Sequence, residues 1–431
     1  MNGLLTDLYE LTMAAGYFAA GKTADVGVFE FSIRRLPRHR DFVVAAGLHR
    51  AVEYLLGLKF EAEEIDYLRG LPQFLHAPPE FWNYLAGFRF TGDVFAVPEG
   101  TVLYAGEPVL NVRAPLIEGQ IPETYLLSAV TFETLIATKA ALVVHAAGEH
   151  AVVEFGTRRA HTPEAGVLGA RAAWIGGCAG TSNALAGFRY GIPVMGTAAH
   201  SWVLSFETET QAFNELQKLL GDQTVQLIDT YDPIEGAREV AKLGPPLWGV
   251  RIDNGDLYRL SRDVRRILDA AGLYDSKIMV SGDLDEVRIA ALVQDGAPID
   301  AFGVGTELST SADAPSMGSI YKLVELSTGG EVRWTAKESG QKSTVPGAKQ
   351  IFRFPDRDVV GLHHECFTGA LALLRPVIIG GHLIEPLPAL DETRKRASAA
   401  LNPWPRPDRR VEFSSALKQL EEETRARVLR Y

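Results

Sequence analysis

Polar residues that could carry chemistry follow short apolar runs in the middle of the sequence. His200 comes a few residues after the run 192–195, which predicts a short buried strand ended by Gly196 and Thr197. One histidine in such a position is more often a packing residue than a catalytic one, although strand ends in α/β folds are where active sites collect. Polar groups follow five other apolar runs in the same way, at 154–159, 229–232, 251–256, 281–285 and 303–306.

If these apolar runs are parallel strands, the residues after them meet on one face of the fold, however far apart they are in sequence. Two arginines could then bind phosphate or carboxylate oxygens, and three aspartates could hold Mg²⁺ or sugar hydroxyls. Glycine-rich turns could bind a terminal phosphate through their backbone N–H groups. These residues are, in that order, Arg158 and Arg251; Asp229, Asp253 and Asp283; and Gly282, Gly303, Gly305 and Thr306.

Each of these groups has an ordinary structural explanation when it is taken alone. Asp256 could be only a helix cap, and a Gly-x-Gly pair such as 303–305 is common by chance. Together, however, the groups indicate a site for a phosphorylated, metal-bound, polyhydroxylated substrate. In such a site a neutral imidazole at His200 is either a base or a nucleophile that could accept a phosphoryl group.

The elements that must position these residues alternate between strand and helix. A long helix of small and apolar residues is predicted over 122–147, and about seven β-then-α units follow it. This pattern predicts a parallel sheet, and the number and even spacing of the units favour a (β/α) barrel over a doubly wound sheet. We therefore predict a barrel domain over 122–325. Its strands are predicted at 151–155, 175–177, 192–196, 224–229, 247–252, 277–281, 299–304 and 320–325.

The segments on either side of the barrel predict further structure. Residues 1–121 are predicted to form an α+β domain, in which a helix over 4–20 carries Tyr9. From the pattern alone, Tyr9 is a core or interface aromatic. An arginine-rich loop at 34–40 is either solvated or an anion site, and its spacing does not decide between them. Residues 326–431 are predicted to pack on the N-terminal domain and on the outside of the barrel.

The overall composition indicates a cytoplasmic enzyme that binds neither nucleic acid nor membrane. The 431 residues carry a formal charge of −11, from 43 basic and 54 acidic side chains, which argues against a broad nucleic-acid surface. Cys178 and Cys366 are too few for a disulfide framework, and no Cys/His spacing typical of a metal site occurs. The first residues lack the features of a signal peptide, and no uninterrupted apolar run is long enough to predict a membrane span.

Several segments of the sequence resemble motifs of nicotinate phosphoribosyltransferases. They occur in the order of that family, from residue 4 to about residue 350. One such motif would be weak evidence, but so many in order make chance agreement implausible. The segments are 4–9, 154–160, 196–201, 227–232, 250–256, 314–322 and 337–349.

The resemblance implies a type II phosphoribosyltransferase of the α/β class, with an irregular (β/α) barrel and a second α+β domain formed from the N- and C-terminal segments. Such enzymes join nicotinate to 5-phosphoribosyl 1-diphosphate and release diphosphate, with Mg²⁺ bound and with ATP hydrolysis coupled to the step. The histidine that ATP phosphorylates in this family corresponds to His200. The resemblance also implies a homodimer with each active site at the subunit interface.

The other site residues carry over motif by motif. The resemblance implies that Tyr9 reaches into the partner subunit's site and stacks on the pyridine ring opposite Phe155. It matches Arg158 with the nicotinate carboxylate, and Arg251 and Asp253 with phosphoribosyl diphosphate. Asp229 and Asp253 are the candidate Mg²⁺ ligands, and either could stabilise positive charge that develops on the ribose. The remaining predicted contacts with substrate are Ser201, Gly282, Asp283, Gly303, Gly305 and Thr306.

The choice between nicotinate and nicotinamide depends on the loop 181–183. Relatives that use nicotinamide present an aspartate there, whereas this chain has the neutral residues Ser182 and Asn183. An aspartate would repel a carboxylate ligand, so the neutral loop favours nicotinate, with one of these two residues facing its carboxylate. A nicotinamide phosphoribosyltransferase is the alternative.

Two other classes of protein compete with this interpretation. A barrel aldolase or isomerase acting on a sugar phosphate would use the same phosphate-binding turns. It would need a Schiff-base lysine or a paired acid and base, and the strand-end groups contain no lysine. A catalytically inactive, ligand-binding barrel is the other class, and the presence of Tyr9, Arg158, His200, Arg251 and Asp253 argues against it.

Overall fold

The computed structural model describes residues 3–337 and 344–428. Its internal contacts divide the chain into two compact units, of which the first combines Met1–Leu135 with Ser316–Tyr431 and the second is Ile136–Pro315. The strands are β1 (Val26–Arg35), β2 (Val43–Val44), β3 (Asp93–Ala96), β4 (Val102–Leu103), β5 (Pro108–Pro115), β6 (Ala151–Glu154), β7 (Gly180–Thr181), β8 (Val225–Leu227), β9 (Gly249–Ile252), β10 (Lys277–Val280), β11 (Ala301–Val304), β12 (Gly318–Thr328), β13 (Glu331–Trp334), β14 (Lys349–Arg353), β15 (Arg357–Leu362), β16 (Leu371–Ala372), β17 (Arg375–Ile379), β18 (His382–Leu383) and β19 (Arg410–Phe413).

Helices connect each consecutive pair of strands from β5 to β12, and also β2 to β3 and β18 to β19. Short 3-10 helices lie at Pro72–Phe74, Thr157–Arg159 and Gly221–Gln223. The α-helices are α1 (Leu8–Ala19), α2 (Leu48–Gly57), α3 (Ala62–Arg69), α4 (Pro79–Ala86), α5 (Leu116–Gln120), α6 (Glu123–Ala147), α7 (Pro163–Ile175), α8 (Ala184–Tyr190), α9 (His200–Leu204), α10 (Glu209–Leu220), α11 (Pro233–Leu243), α12 (Leu257–Ala270), α13 (Glu286–Gln294), α14 (Thr306–Ser309), α15 (Leu390–Ala400) and α16 (Ser415–Val428).

The first unit is built on a seven-stranded antiparallel sheet in the order β13-β12-β1-β5-β3-β17-β18. Both faces of its inner strand β1 are buried. Phe29 and Phe31 pack into the apolar core on one face, and Phe29 stacks on Tyr321 with ring centroids 5.4 Å apart. On the other face the buried carboxylate of Glu30 is paired with Lys349, whose Nζ lies 3.1 Å away. A buried charge of this kind is tolerated because it has an opposite charge beside it.

The segment 316–325 differs from the sequence prediction, which assigned it to the barrel. The strand predicted at 320–325 is part of β12, and β12 pairs antiparallel with β1 along its length. The apolar pattern of a strand indicates burial but not which strand it pairs with, so the pattern alone placed it in the wrong sheet. The predicted boundary at 122 also differs, because the division after Leu135 falls inside the continuous helix α6.

The apolar segment Leu116–Ala147 contains α5 and α6. By length and composition it could cross a membrane, since the mean hydropathy of its most apolar window is 1.6, but 67% of that window is buried within the protein. Burial on that scale is typical of a core helix in a globular protein. The sequence prediction of a buried helix here is confirmed.

The second unit contains a six-stranded parallel sheet in the order β7-β6-β11-β10-β9-β8. Its strands are short and mostly buried, and helices follow them. A parallel sheet is covered on both faces by its connecting helices, which explains why these strands consist largely of Val, Ile, Ala, Met and Phe. A single bridge between Thr181 and Val194 extends the sheet beyond β7. The predicted α/β class, with an irregular (β/α) barrel and a second α+β domain, is confirmed.

Two of the predicted barrel strands are wrong in position. The residues 175–177 end helix α7 and form the turn after it, and the strand itself, β7, lies at Gly180–Thr181. The predicted strand 192–196 contributes only the bridge at Val194. A Cβ atom on Gly180 would lie 2.6 Å from the carbonyl oxygen of Pro193, so this close approach of two backbones requires glycine.

Candidate active site

A cavity of about 360 Å³ opens in the second unit at the carboxyl ends of β6, β9, β10 and β11. Of the six predicted strand-end groups, only 229–232 contributes no lining residue. Parallel pairing brings the others together, as the sequence predicted. The lining residues are Phe155, Arg158, Arg159, His200, Arg251, Asp253, Asn254, Gly255, Leu257, Ser281, Gly282, Asp283, Arg288, Gly303, Gly305 and Thr306.

Arg251, on β9, connects three parts of the cavity wall and is only 8% exposed. Its Nε donates to Ser281 Oγ at 2.8 Å, one terminal nitrogen donates to Thr197 Oγ1 at 2.7 Å, and the other donates to Asp253 Oδ1 at 2.6 Å. The guanidinium carbon also lies 5.6 Å from the centre of the Phe155 ring, within the range of a cation–π interaction. This side chain therefore has one strongly determined position.

The hydrogen bond from Arg251 polarises the carboxylate of Asp253. Burial raises its pKa, but the hydrogen bond from Ser281 and the charge and hydrogen bond of Arg251 outweigh burial, so the pKa lies below its usual value. Asp253 is therefore ionised at neutral pH. Its Oδ1 accepts hydrogen bonds from both Arg251 and Ser281. Its Oδ2 faces His200 and lies 3.8 Å from Nε2 of that ring.

His200 begins the short helix α9, and its side chain is 43% exposed. Its Nδ1 lies 3.2 Å from Thr230 Oγ1. Within the described part of the chain Nε2 has no hydrogen bond, and Asp253 is its charged neighbour. In the tautomer whose Nδ1–H donates to Thr230, Nε2 carries the lone pair and is the nitrogen available to act as a base or nucleophile.

Phe155 follows β6 and presents an aromatic ring to the cavity, although it is only 8% exposed. Its backbone N–H donates to the carbonyl of Val304 at 2.8 Å, which joins the ends of β6 and β11. A Cβ atom on Gly303 would lie 2.5 Å from the ring. Glycine at 303 therefore leaves the space that this ring occupies.

The turn after β10 has an unusual backbone. Gly282 and Asp283 both have positive φ, at +93° and +48°. A Cβ atom on Gly282 would lie 2.0 Å from the carbonyl oxygen of Asp253, so the two turns touch through their backbones. Arg288, on α13, donates to the carbonyl of Asp283 at 2.7 Å and brings a further cation to the cavity. Consecutive N–H groups in turns of this kind form concave anion sites.

Asp229 lies outside the cavity lining. Its Oδ2 accepts from the backbone N–H groups of Asp253 and Asn254, at 2.7 and 2.9 Å, and its Oδ1 is buried with no hydrogen-bond partner. The carboxylate thus holds the turn that carries Asp253. Its predicted contact with substrate stays a prediction.

The loop 181–183 uses its polar groups within the protein. Asn183 caps helix α8, since its Oδ1 accepts from the N–H of Ala186 at 2.8 Å, and its Nδ2 donates to Thr157 at 3.1 Å. Thr181 donates at 2.6 Å to Glu154, whose pKa is raised by burial and only partly lowered again by its hydrogen bonds. Ser182 is exposed, and neither Ser182 nor Asn183 lines the cavity.

The remaining predicted residues lie elsewhere. Ser201, next to His200 on α9, is exposed and does not line the cavity. Tyr9 lies on α1 of the first unit and is 47% exposed, and burial of its hydroxyl, followed by the charge of Glu123, raises its pKa. Of the predicted motif 337–349, residues 338–343 lie outside the described residues. The roles predicted for Ser201 and Tyr9 are left as predictions.

A predicted Mg²⁺ can be tested against these groups. No cluster of three or more His, Cys, Asp or Glu side chains that could hold a metal occurs within residues 3–337 and 344–428. Mg²⁺ in phosphoryl-transfer sites, however, is held by one or two carboxylates together with substrate phosphates. Asp253 Oδ2 fits that role, because it lines the cavity and accepts no hydrogen bond from Arg251 or Ser281. Asp229 fits less well, since two N–H groups occupy one of its oxygens.

Several site residues were not predicted from the sequence. Arg159, Asn254, Gly255 and Ser281 lie within the strand-end groups, so their positions were indicated but not their individual contacts. No pattern in the sequence indicated that Arg288 reaches the cavity, because it lies on a helix after the turn. Thr197 and Thr230, which bind Arg251 and His200, are outside the lining.

Comparison with known proteins agrees with the geometry of the cavity. Residues 4–131 match the model of the nicotinate phosphoribosyltransferase N-terminal domain, and residues 136–314 match the model of the quinolinate phosphoribosyl transferase C-terminal domain. A nicotinate phosphoribosyltransferase of Mycobacterium tuberculosis is 42% identical over 417 residues, which cover 94% of this chain and 88% of the relative. One from Bacillus subtilis is 43% identical over 359 residues, covering 81% of this chain and 72% of the relative.

A solved structure extends the match to three dimensions. The crystal structure of human nicotinic acid phosphoribosyltransferase superimposes with a TM-score of 0.85 at 29% identity, covering 97% of this chain and 100% of that chain. The two domain models together account for most of the sequence, and they meet within α6, where the two compact units also divide. The chain therefore belongs to the nicotinate phosphoribosyltransferase family.

Proposed function

We propose that the protein joins nicotinate to 5-phosphoribosyl 1-diphosphate, giving nicotinate mononucleotide and diphosphate, as the first step of NAD synthesis from nicotinate in the cytoplasm. The observation that carries this proposal is the cavity in which Arg251, Asp253 and His200 meet beside an aromatic ring and glycine turns. Membership of the family supports the same reaction. A sugar-phosphate aldolase that works through a Schiff base would need a lysine, and no lysine lines the described cavity.

The proposed reaction breaks the bond between ribose C1 and a diphosphate oxygen and forms a bond from C1 to the pyridine nitrogen. Diphosphate leaves with the bonding electrons, so negative charge grows on the leaving group while C1 becomes cationic. Preformed charges aimed at such changes are the largest source of catalysis in most enzymes. Asp253 would stabilise the cationic ribose, and the guanidinium groups would stabilise diphosphate. The arginines in question are Arg159, Arg251 and Arg288, whereas Arg158 is proposed to bind the nicotinate carboxylate.

The pyridine ring is proposed to bind against Phe155. Tyr9 of a second subunit would cover its other face, which makes a homodimer the proposed active form. Stacking contributes about 0.5–1.5 kcal/mol per aromatic pair beyond the burial of apolar area, and it orients the ring nitrogen toward C1. Nicotinate is preferred over nicotinamide in this proposal, because the loop 181–183 carries no acidic side chain and arginines line the cavity.

ATP is proposed to phosphorylate His200 at Nε2. In this step the lone pair of Nε2 forms a bond to the γ-phosphorus, the bond to the β-phosphate oxygen breaks, and ADP leaves. The phosphorylated ring would carry about −1.5 to −2 charges, next to the carboxylate of Asp253. Mg²⁺ held by Asp253 would neutralise that charge and the charge of diphosphate. Hydrolysis of the phosphohistidine would then couple ATP to the bond made at the ribose.

The proposal is tested by incubating the protein with labelled nicotinate, 5-phosphoribosyl 1-diphosphate, Mg²⁺ and ATP. Labelled nicotinate mononucleotide is the expected product, in an amount that rises when ATP is present. Nicotinamide in place of nicotinate should give much less product. Absence of any nucleotide product would overturn the proposal, and a preference for nicotinamide would overturn the substrate assignment alone.

We expect Gly303→Ala to weaken nicotinate binding, because its Cβ would occupy the space of the Phe155 ring. The ring can move only by leaving its stacking position, so KM for nicotinate should rise about tenfold, a loss comparable to one aromatic stack. Steady-state kinetics with each substrate varied in turn measures this. Gly196→Ala is the matched control, since a Cβ there meets nothing within 4 Å. Equal rises in KM for both substrates would show that the change is not local to the ring.

Thr230→Val is expected to lower kcat about fivefold and leave both KM values nearly unchanged. The substitution removes the hydroxyl that binds His200 Nδ1, and a neutral hydrogen bond of this kind contributes about 1 kcal/mol. Without it, the ring can rotate and the other tautomer can put the proton on Nε2. Thr230→Ser should restore the rate, because it keeps the hydroxyl. A serine variant as slow as the valine variant would mean that Thr230 acts only through packing.

A further inference from the structure

Glu154, the last residue of β6, is a buried acid next to the cavity residue Phe155, and the proposed reaction gives it no task. Its side chain does not line the cavity, and the residue is only 2% exposed. It forms no ion pair within residues 3–337 and 344–428. A carboxylate buried without a counter-ion is stable only where hydrogen-bond donors surround it. The donors that bind Glu154 therefore indicate why an acid occupies this position.

Both oxygens of the Glu154 carboxylate accept hydrogen bonds, each from a different segment. Oε1 accepts from the backbone N–H of Gly156, and Oε2 accepts from Thr181 Oγ1 at 2.6 Å. The Thr181 oxygen itself accepts from the backbone N–H of Asn183 at 3.0 Å, so its single proton is directed to Glu154. Burial raises the pKa of Glu154, and both hydrogen bonds oppose this shift because they bind the ionised form better.

The two segments that Glu154 joins are also connected directly. They are the turn after β6 and the loop 181–183. The backbone N–H of Ser182 donates to the carbonyl of Glu154 at 2.9 Å, and Asn183 Nδ2 donates to Thr157 Oγ1 at 3.1 Å. The turn and the loop therefore form one hydrogen-bonded unit, in which the Glu154 carboxylate binds both parts.

Within this turn, Arg158 depends on the backbone for its position more than Phe155 does. The Phe155 ring is held by contacts of its own, because it packs against Gly303 and lies 5.6 Å from the guanidinium carbon of Arg251. The side chain of Arg158 lines the cavity, but it is exposed and forms no hydrogen bond or ion pair with the described residues. A shift of the turn is therefore expected to displace Arg158 first.

We propose that Glu154 is a positioning residue for nicotinate, which holds the turn after β6 so that Arg158 meets the carboxylate of that substrate. Glu154 has this role only if the proposed function holds, since that function assigns the carboxylate to Arg158. Removal of the Glu154 carboxylate leaves the Gly156 N–H and the Thr181 hydroxyl buried without an acceptor. Unsatisfied buried donors are costly, so the turn moves until they find other acceptors.

Steady-state kinetics of Glu154→Gln tests this role. Glutamine keeps the volume of the side chain, but it turns an NH₂ group toward one of the two donors. We expect KM for nicotinate to rise about fivefold, because the hydrogen bonds between its carboxylate and Arg158 weaken. The kcat and the KM for 5-phosphoribosyl 1-diphosphate should stay nearly unchanged, since Arg251 and Arg288 lie on other segments. An enzyme that is merely less stable would lose kcat instead, because less of it is folded.

A double-mutant cycle with Arg158→Gln shows whether Glu154 acts through Arg158. If it does, Glu154→Gln should raise KM for nicotinate about fivefold in the wild-type background and hardly at all in the Arg158→Gln background. Equal increases in the two backgrounds would overturn the proposal, because Glu154 would then act on nicotinate by another route.

Glu118→Gln is the matched control. Glu118 is a buried acid of the first unit, and its Oε2 also accepts from a backbone N–H and a threonine hydroxyl, both of Thr91, at 2.5 and 3.0 Å. This variant should lower the melting temperature as Glu154→Gln does, because both remove an acceptor from buried donors. It should leave both KM values unchanged. A rise in KM for nicotinate in Glu118→Gln equal to that in Glu154→Gln would overturn the proposal.

Thr181→Val and Thr181→Ser test the same unit if Glu154→Gln does not fold. Valine removes the hydroxyl that binds Glu154, whereas serine keeps it, so KM for nicotinate should rise in the valine variant only. Equal KM values in these two variants, or an unchanged KM in Glu154→Gln, would overturn the role of Glu154. Wild-type protein that forms no nucleotide from nicotinate would instead refute the proposed function itself.

Discussion

Replacing His200 by alanine is expected to abolish transfer of phosphate from ATP to the protein and to remove the stimulation of product formation by ATP. The imidazole is the nucleophile in the proposed transfer, and the tautomer that donates from Nδ1 to Thr230 leaves the lone pair on Nε2. A positioned acid, base or nucleophile of this type contributes roughly 10²–10⁴-fold to a rate. We therefore expect the ATP-stimulated kcat to fall by at least about 10²-fold.

The nucleotide product should still form slowly without ATP in this variant. Arg251, Asp253 and the glycine turns remain in place, and preformed electrostatic groups retain part of their catalytic effect when a nucleophile is removed. The measurement is incubation with γ-labelled ATP followed by denaturation, with an acid-labile, base-stable label expected on wild type only. His161→Ala, which changes an exposed histidine of the same unit, should keep both the label and the rate. Label on the His200→Ala protein would contradict the phosphohistidine.

The sequence predicted the cavity well because the prediction rested on geometry common to all parallel sheets. Strands that run in one direction bring their carboxyl ends to one edge, so residues such as Phe155, Arg251 and Gly303 were expected together without knowledge of their contacts. The same argument indicated Asp253 and Gly282. Buried parallel strands also have a distinctive apolar composition, which located most of them to within a few residues.

The sequence could not distinguish residues of the same type that form different contacts. Asp229 and Asp253 both follow strands, yet only Asp253 lines the cavity, because Asp229 accepts two N–H groups from a turn 24 and 25 residues later. Asn183 was matched with the substrate, a contact that stays a prediction, and its amide caps α8. Arg288 reaches the cavity from a helix. Each of these outcomes depends on contacts between distant segments, which residue type and spacing do not encode.

Replacing Arg251 by methionine is expected to lower kcat/KM by about 10²–10³-fold, as removal of a single preformed donor does in other enzymes. Methionine keeps most of the apolar volume but none of the three hydrogen bonds to Ser281, Thr197 and Asp253. Arg262→Met, at an exposed position on α12, is the matched control and should retain full activity. An Arg251→Met variant as active as this control would exclude a role for Arg251 in the reaction.

The same substitution should destabilise the protein in a way that depends on pH. The pKa of Asp253 is depressed in the folded state, so its ionisation stabilises the fold above the unfolded pKa of about 3.9, and this contribution is lost as pH falls through the folded pKa. Loss of Arg251 leaves the carboxylate partly buried without its cation. We expect a loss of about 2 kcal/mol in the free energy of unfolding at pH 7, which shrinks below about pH 4.

The double variant Arg251→Met/Asp253→Asn separates the structural effect from the chemical one. If the instability arises from the unpaired carboxylate, neutralising Asp253 should restore much of the free energy of unfolding at pH 7, because replacing both members of a partly buried pair costs less than removing one. Activity should not return, since both the cation for diphosphate and the carboxylate for the ribose are then missing. Urea unfolding and kcat/KM are measured on the wild type, the two single variants and the double variant. We expect the double variant to regain stability but not activity. Recovery of both would show that neither the Arg251 cation nor the Asp253 carboxylate takes part in the reaction, and that Arg251 matters only because it neutralises Asp253.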